Sequence, residues 1–389
     1  MKRKICVITG SRSDYGPLLP LIKSIKNERT LRLQLVATGM HLSPDHGLTY
    51  KEIEKDGFHI DEKVKILTET DTADGTSKAM GLAMAGFTRA YKRLKPDIIV
   101  VLGDRFEIFS AVACALVHKI PVAHLCGGEV TKGAFDDAFR HSITKMSHLH
   151  FTATEEYRKR VIQLGEHPDR IFNVGDIGLD NIISLPLLSK QMLEKSLGLI
   201  FQKRNLLITF HPVTLDEESS ESQFSKVLKA LGELDDTLLI FTKANADPSG
   251  KAINIMIDRF VRNNRSKSVV FTSLGQLKYL SLMRYVDALV GNSSSGIAEA
   301  PSFKIGTINI GDRQTGRIKA KSVIDCEPDK NSILKALNIL YSKPFQNQLK
   351  TVTNRYGDGR SAKRVLNVLK HYPLKDILRK EFFDMKTVL

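Results

Sequence analysis

Ala288-Leu289-Val290-Gly291-Asn292-Ser293-Ser294-Ser295-Gly296-Ile297-Ala298-Glu299 is an apolar run of strand length that ends in small hydroxyl residues and leads into a short segment closed by Pro301. A strand that opens a helix in this way presents backbone N–H groups, hydroxyl donors and the positive helix end together, which suits a phosphate. Glu299 lies about one helical turn beyond Ser295, where a carboxylate can accept hydrogen bonds from a ribose diol. Gly291, Asn292, Ser293, Ser294 and Glu299 thus read as a nucleotide clamp, set against the plainer reading of a Ser-rich cap on an ordinary helix.

The same unit recurs outward in both directions. Apolar runs predict strands at Ile5–Gly10, Leu33–Gly39, Asp97–Gly103, Val122–Leu125, His150–Thr152 and Ile171–Val174, with helical periodicity between them. A second series follows at Leu206–Phe210, Leu238–Thr242, Val269–Thr272, Ala288–Val290 and Gly306–Ile310. Strands alternating with helices signify parallel sheets. The expectation is an α/β protein of two tandem Rossmann-like, doubly wound domains, residues 1–180 and 181–362, with ligand in the cleft between them at the carboxyl ends of the strands. Ser184-Leu185-Pro186 breaks the chain between the two series. Beyond the loop Tyr356–Ser361, an amphipathic segment within 363–389 can pack back on the first domain.

Composition bounds the function. The 389 residues are 42% hydrophobic and 26% charged, enough for two substantial cores. No run approaches the roughly 18 apolar residues of a membrane span. Met1-Lys2-Arg3-Lys4 runs straight into Ile5–Thr9, too short a core for a signal peptide, so the expected location is the cytoplasm and no membrane partner is expected. Cys6, Cys114, Cys126 and Cys326 are widely spaced and form no C-x-x-C pair, which supports neither a disulfide framework nor a zinc site. The net charge of +15 favours anionic partners. Basic residues are scattered over amphipathic segments such as Tyr91–Lys95 and not gathered into a tail or interleaved with aromatics, which argues against nucleic acid.

Polar residues at the predicted strand ends carry the chemistry. Gly10-Ser11-Arg12-Ser13-Asp14 places Arg12 after the first strand, either facing an anionic ligand or paired with Asp14. Neither G-x-G-x-x-G nor G-x-x-x-x-G-K-[ST] occurs. Gly103-Asp104-Arg105, Gly127-Gly128-Glu129 and Asp136-Asp137-Ala138-Phe139-Arg140-His141 follow. Asp136 with Arg140, and Asp137 with His141, are spaced i to i+4 on a helix start. Acidic residues there are also ordinary dipole partners. Gathered together, Asp104, Glu129, Asp136 and Asp137 would raise at least one pKa and supply an acid and a base, the needs of proton transfer at carbon. In the second half, His211, Asn245, Ser273, the clamp and Arg313 each follow a predicted strand. His211, the serines and Arg313 are expected on phosphate and Glu299 on ribose.

Gly10–Gly16, Thr38-Gly39-Met40-His41, Gly103-Asp104-Arg105, Gly127-Gly128-Glu129, Asp136–Lys145, His211-Pro212-Val213-Thr214 and Gly291–Gly296, in this order, resemble the hydrolysing UDP-N-acetylglucosamine 2-epimerases from about residue 4 to about residue 370. The resemblance implies the glycosyltransferase-B architecture, no metal and no other cofactor, a UDP-sugar substrate with UDP as product, and a homodimer or homotetramer. It implies a sequence in which C2 is deprotonated as UDP leaves C1, water adds to the 2-acetamidoglucal intermediate, and C2 is reprotonated on the opposite face. N-acetylmannosamine for sialic acid synthesis is the product of that chemistry. Asp104, Glu129 and Asp136 or Asp137 are then the proton-transfer groups. Arg12, Ser293, Ser294 and Arg313 stabilise the leaving diphosphate, Asn245, Ser273 and Glu299 hold the nucleotide, and Arg105, Arg140 and His141 line the substrate. Cys126 stands where some relatives carry Glu, so no role transfers to it. Similar enzymes act on a 6-deoxy-2,4-diacetamido sugar nucleotide, and Thr72–Lys78 and Gly81-Leu82-Ala83 resemble that branch as much as the sialic acid one. UDP-N-acetylglucosamine is the expected donor, with the diacetamido sugar as alternative. A non-hydrolysing 2-epimerase would carry Val-Glu-Ala-Gly-Leu-Arg near His124–Glu129, and a glycosyltransferase would need no base at C2.

Overall fold

The structure, a computed structural model, describes residues 2–44, 47–66, 72–130, 136–212, 218–244 and 248–385. Strand β1 (Arg3–Thr9) explains the first sheet. Ile5 and Val7 enter one core and Cys6 and Ile8 another, all with no exposed surface. A strand covered on both faces reads as an unbroken apolar run. With β2 (Leu31–Thr38), β3 (Glu62–Val64), β4 (Ile98–Leu102), β5 (Val122–Leu125), β6 (Leu149–Thr152) and β7 (Ile171–Asn173), it forms a parallel sheet ordered β3-β2-β1-β4-β5-β6-β7. Helices Arg12–Asn27 and Ser361–His371 cover one face through Leu18, Leu21, Ile22, Val365 and Leu369. Helices Ala73–Leu94 and Phe106–Val117 cover the other through Phe87, Tyr91, Ile108 and Val112.

A second parallel sheet repeats the plan. It comprises β8 (Arg204–Thr209), β9 (Thr237–Thr242), β10 (Ser268–Phe271), β11 (Ala288–Gly291), β12 (Gly306–Ile310) and β13 (Val323–Cys326), ordered β10-β9-β8-β11-β12-β13. Leu206, Ile208, Phe224, Leu231, Ile333 and Leu337 form its core with helices Ser220–Gly232 and Lys330–Leu340. The α/β class with two doubly wound sheets is the one the alternating pattern predicts. In both sheets the strand order reverses at one place, between β1 and β4 and between β8 and β11, and loops at such a switch diverge to leave a crevice.

The chain divides into two compact units. Among the described residues, 2–129, 136–183 and 356–385 form the first and 184–355 most of the second. The first unit is therefore discontinuous. Its returning helix Ser361–His371 is held at its start by Asp180, whose carboxylate accepts from the Ser361 and Ala362 amides at 2.9 and 2.8 Å. Farther on, Lys380 donates to the Lys145 and Ser147 carbonyls and ion-pairs with Glu166 at 2.6 Å. Among the described residues, no helix is long and apolar enough to cross a membrane.

The short strands β3 and β13 are absent from the sequence-based expectation. The helix expected after the serines is also shorter than a helical clamp needs. It is a single turn, Ser295–Ala298, followed by the 3-10 turn Ala300–Phe303, because Pro301 has no N–H to continue the ladder.

Candidate functional site

In the first unit the carboxylates gather beside the β1/β4 switch. Asp104 and Arg105 follow β4 on a turn opened by Gly103 at φ +78, a left-handed conformation that glycine adopts without strain. Asp136 and Asp137 begin the helix Asp136–Met146. Arg140, only 5% exposed, contacts Asp104 with one guanidinium nitrogen and Asp137, at 3.4 Å, with another. His141 Nε2 lies 3.5 Å from Asp137, and its Nδ1 is buried with no hydrogen-bond partner among the described residues. The expected Asp136–Arg140 pairing is thus replaced. Arg140 bridges Asp104 and Asp137, while burial first and the nearby Asp104 second push the Asp136 carboxyl up, against the pull of Arg105 and Arg140.

Glu129 is buried at the end of the turn after β5. Gly128 there has φ +80, and a Cβ on it would overlap the Tyr157 carbonyl oxygen, so the turn requires glycine. Arg105 donates from Nε to Glu107 at 2.5 Å. Glu107 is wholly buried, its Oε2 has no partner among the described residues, and burial pushes its carboxyl up against the pull of Arg105. The pattern Gly103–Glu107 shows the charges but not this burial. Gly10 and Gly39 provide the room, since a Cβ on either would come within 2.5 and 3.0 Å of Glu107 Oε1.

Arg12 stands apart from this cluster. It is about half exposed and pairs at 3.7 Å with Glu52, a surface contact worth little. The alternative pairing with Asp14 is corrected as well. Asp14 accepts from the Gly10 and Ser11 amides, both at 2.7 Å, and so caps its own helix.

In the second unit Asn292 organises the loops after β8, β11 and β12. Its side-chain oxygen accepts from the His211 amide at 2.7 Å, its side-chain nitrogen donates to the His211 carbonyl at 2.8 Å, and its own carbonyl accepts from Arg313 at 3.1 Å and Gln314 at 2.8 Å. Asn292 is 1% exposed, so its amide serves the fold. Gly291, at φ +138, passes so near β8 that a Cβ would overlap the Thr209 carbonyl oxygen. Its identity is a packing requirement.

Asn292 thereby brings His211 and Arg313 together at the β8/β11 switch. Burial, then Arg313, pulls the His211 imidazole down to about 4, so the ring is neutral at pH 7. Burial, with Arg317 beside it, also lowers Arg313. A guanidinium taken partly out of water beside a neutral imidazole is suited to an anion. Ser293 accepts from the Ser295 amide at 3.4 Å, and Ser294 precedes the single helical turn. Glu299 closes that turn. Tyr279 was not singled out in the sequence, yet its hydroxyl lies among those of Ser293, Ser295 and Thr209, and burial followed by Glu299 pushes its phenol up. It sits on the helix Gly275–Met283, where an aromatic reads as core. Ser273 is exposed beyond β10, the edge strand two places from β8, and Asn245 lies outside the described residues. Among the described residues, no three His, Cys, Asp or Glu side chains stand together as metal ligands.

Two groupings are present: a cluster of carboxylates with one member pushed toward its protonated form, and a rim that gathers a buried arginine, a neutral imidazole, hydroxyls and a carboxylate. The family model described as UDP-N-acetylglucosamine 2-epimerase matches residues 23–370. The GDP/UDP-N,N'-diacetylbacillosamine 2-epimerase (hydrolyzing) of Campylobacter jejuni is 45% identical over 385 residues, 99% of this chain and 100% of the relative. The polysialic acid biosynthesis protein P7 of Escherichia coli is 38% identical over 385 residues, 98% of each chain. S. aureus MnaA, solved with UDP, is similar at a TM-score of 0.78 and 19% identity, covering 98% of this chain and 100% of that one. The fold is the glycosyltransferase-B architecture.

Proposed function

The chain belongs to the UDP-N-acetylglucosamine 2-epimerase family, and from that premise we propose that it is a hydrolysing sugar-nucleotide 2-epimerase whose donor is a nucleotide-linked N,N'-diacetylbacillosamine, a 2,4-diacetamido-6-deoxy sugar. The observation that carries the donor choice is the 45% identity over the full length of the Campylobacter jejuni enzyme. The motifs alone rank UDP-N-acetylglucosamine first. That donor is the second reading, favoured by the 38% identity to the polysialic acid protein.

In the proposed reaction a carboxylate takes the C2 proton while the C1–O bond breaks and the nucleoside diphosphate departs. Water then adds through its oxygen to C1 of the 2-acetamido glycal and gives up one proton to a carboxylate, while a carboxyl group returns a proton to the other face of C2. Asp136 suits the acid, because its surroundings favour the protonated carboxyl. Asp104, held by Arg140, suits the base, with Glu129 the third candidate for proton transfer. Asp137 orients Arg140 and His141. On the leaving side, Arg313 and the Ser293 and Ser294 hydroxyls would stabilise the developing diphosphate charge, His211 would donate a neutral hydrogen bond, and Glu299 with Tyr279 would meet the ribose.

The test is a competition of donors. Purified protein is given the UDP- and GDP-linked diacetamido sugars and UDP-N-acetylglucosamine, with nucleotide release and free sugar followed together. The expected result is a kcat/KM for a diacetamido donor at least tenfold higher, about 1.4 kcal/mol of discrimination. A tenfold preference for UDP-N-acetylglucosamine would transfer the assignment to the second reading. An epimer still attached to its nucleotide would overturn the hydrolytic step, and absence of solvent deuterium at C2 would remove the carboxylates from the chemistry.

A further inference from the structure

Three carboxylate-bearing segments of the first unit meet at a histidine that the chemistry above does not use. His124, on β5, is wholly buried. Its Nε2 lies 2.8 Å from the carbonyl oxygen of Gly103, the residue before Asp104. Its Nδ1 lies 3.1 Å from the Thr144 hydroxyl, on the helix that begins with Asp136 and Asp137. Gly127, two residues before Glu129, packs on the same pair, for a Cβ there would stand 2.9 Å from Thr144 Oγ1 and 3.2 Å from His124 Nδ1.

The partners dictate the tautomer. A carbonyl can only accept, so Nε2 carries the proton, and Nδ1 then accepts from the Thr144 hydroxyl. Burial pulls the imidazole down to about 3, so it remains neutral and keeps this one arrangement throughout the physiological range. Gly103 is tied to β5 a second time, its amide donating to the Leu125 carbonyl at 3.2 Å. With both backbone polar groups bound, the direction in which the next residue, Asp104, leaves the turn is set by β5.

We propose that His124 is the positioning residue of the carboxylate site, fixing the Asp104 turn and the Asp136–Asp137 helix in one register through the Gly103 carbonyl and the Thr144 hydroxyl. Displacing one reacting group by about an ångström can cost roughly a hundredfold in rate, so a bond of this kind is felt in turnover. The inference rests on the proposed epimerase reading for its kinetic effect only.

Two amides dissect the histidine. Glutamine reaches the place of Nε2 and retains a donor for Gly103, whereas asparagine reaches only the place of Nδ1. His124→Asn is expected to lower kcat roughly tenfold to a hundredfold with KM within about twofold, and His124→Gln to recover most of the loss. Thr144→Val, which removes the donor to Nδ1, should produce an intermediate loss. Hydrogen–deuterium exchange read by mass spectrometry should show faster exchange around Gly103 in His124→Asn and protection restored in His124→Gln. Unchanged exchange at Gly103 in His124→Asn, or equal kcat losses in the two amides, would overturn the proposal. If wild-type protein released no nucleotide from any donor, the epimerase reading would fail, and the exchange comparison would still decide the role of His124.

Discussion

Replacing Arg140 by methionine keeps most of the side-chain volume and removes the cation that bridges Asp104 and Asp137. The Arg140 side chain is 6% exposed, while those of Asp104 and Asp137 are 20% and 28% exposed. Orphaning the partner of a fully buried ion pair costs about 3–5 kcal/mol. These carboxylates keep some water, so the expected loss is about 2–3 kcal/mol at pH 7.5. The sign of the pH dependence follows from the same charges. Arg140 favours the ionised form of the neighbouring Asp136 carboxyl, so without it the folded protein binds that proton more readily, and the variant's deficit shrinks as the pH falls and Asp136 protonates. The Asp136 carboxyl, already pushed up by burial and Asp104, should rise further, because Arg140 is one of the groups pulling it down. Any activity limb governed by that group therefore moves to higher pH. The chain has no Trp, so urea unfolding is best followed by far-UV circular dichroism, at pH 7.5 and again near pH 4.5. Adding Asp104→Asn completes a double-mutant cycle and isolates the pair. A loss below about 1 kcal/mol at pH 7.5, or one no smaller near pH 4.5, would refute the view that Arg140 compensates buried charge.

Asp104→Asn is expected to reduce turnover by roughly 10²- to 10⁴-fold, the usual worth of a general acid or base, while UDP affinity by calorimetry stays within about twofold; comparable turnover would remove Asp104 from proton transfer. Gly291→Ala forces a Cβ onto the Thr209 carbonyl oxygen at φ +138 and should destabilise the second unit by about 3 kcal/mol or more, checked by thermal unfolding. His211 is neutral at pH 7.5, with its imidazole pulled down to about 4, so its contribution to UDP binding is a hydrogen bond: His211→Gln should bind within about threefold of wild type and His211→Ala about 1 kcal/mol more weakly, and equal losses would contradict this. Burial works against the Glu166 charge, but His150, Lys145 and Lys380 more than offset it and bring the carboxyl down from 4.5 to about 2. That contribution, on the order of 3 kcal/mol, is complete above about pH 4.5 and is lost as the pH falls through about 2, so Lys380→Met should lower Tm at pH 7 and converge with wild type near pH 2.

The central strands are legible in the sequence because helices cover both faces of each sheet, leaving β1, β4, β8 and β11 as apolar runs. Of the four edge strands, β3 and β13 are not. Glu62-Lys63-Val64 and Val323-Ile324-Asp325-Cys326 are short and carry charge within the run, whereas the edges β7 and β10 carry none. The candidate residues at strand ends are legible for a related reason: in a parallel sheet every loop at the carboxyl ends emerges on the same rim. Their partners are not. Arg140 meets Asp104 across 36 positions, a pairing no helical spacing encodes. Asn292 looks like one more polar residue of a phosphate loop, and only tertiary structure reveals both of its side-chain polar atoms on the His211 backbone. Asp14 is the reverse case, a local cap whose spacing from Ser11 is legible in the sequence, although the same residue also stands close enough along the chain to suit Arg12.

The discontinuity of the first unit has a consequence for synthesis on the ribosome. Val365 and Leu369 complete the core beneath β1 and the helix Arg12–Asn27, yet they are translated only after all of residues 184–355. The second unit can therefore close while the first still exposes the face those side chains will cover. At roughly 5–20 residues per second, that interval lasts on the order of ten to thirty seconds. During it the face of the helix Arg12–Asn27 that the last helix packs against stays uncovered, and docking of Val365 and Leu369 becomes the step that completes the core of the carboxylate-bearing unit.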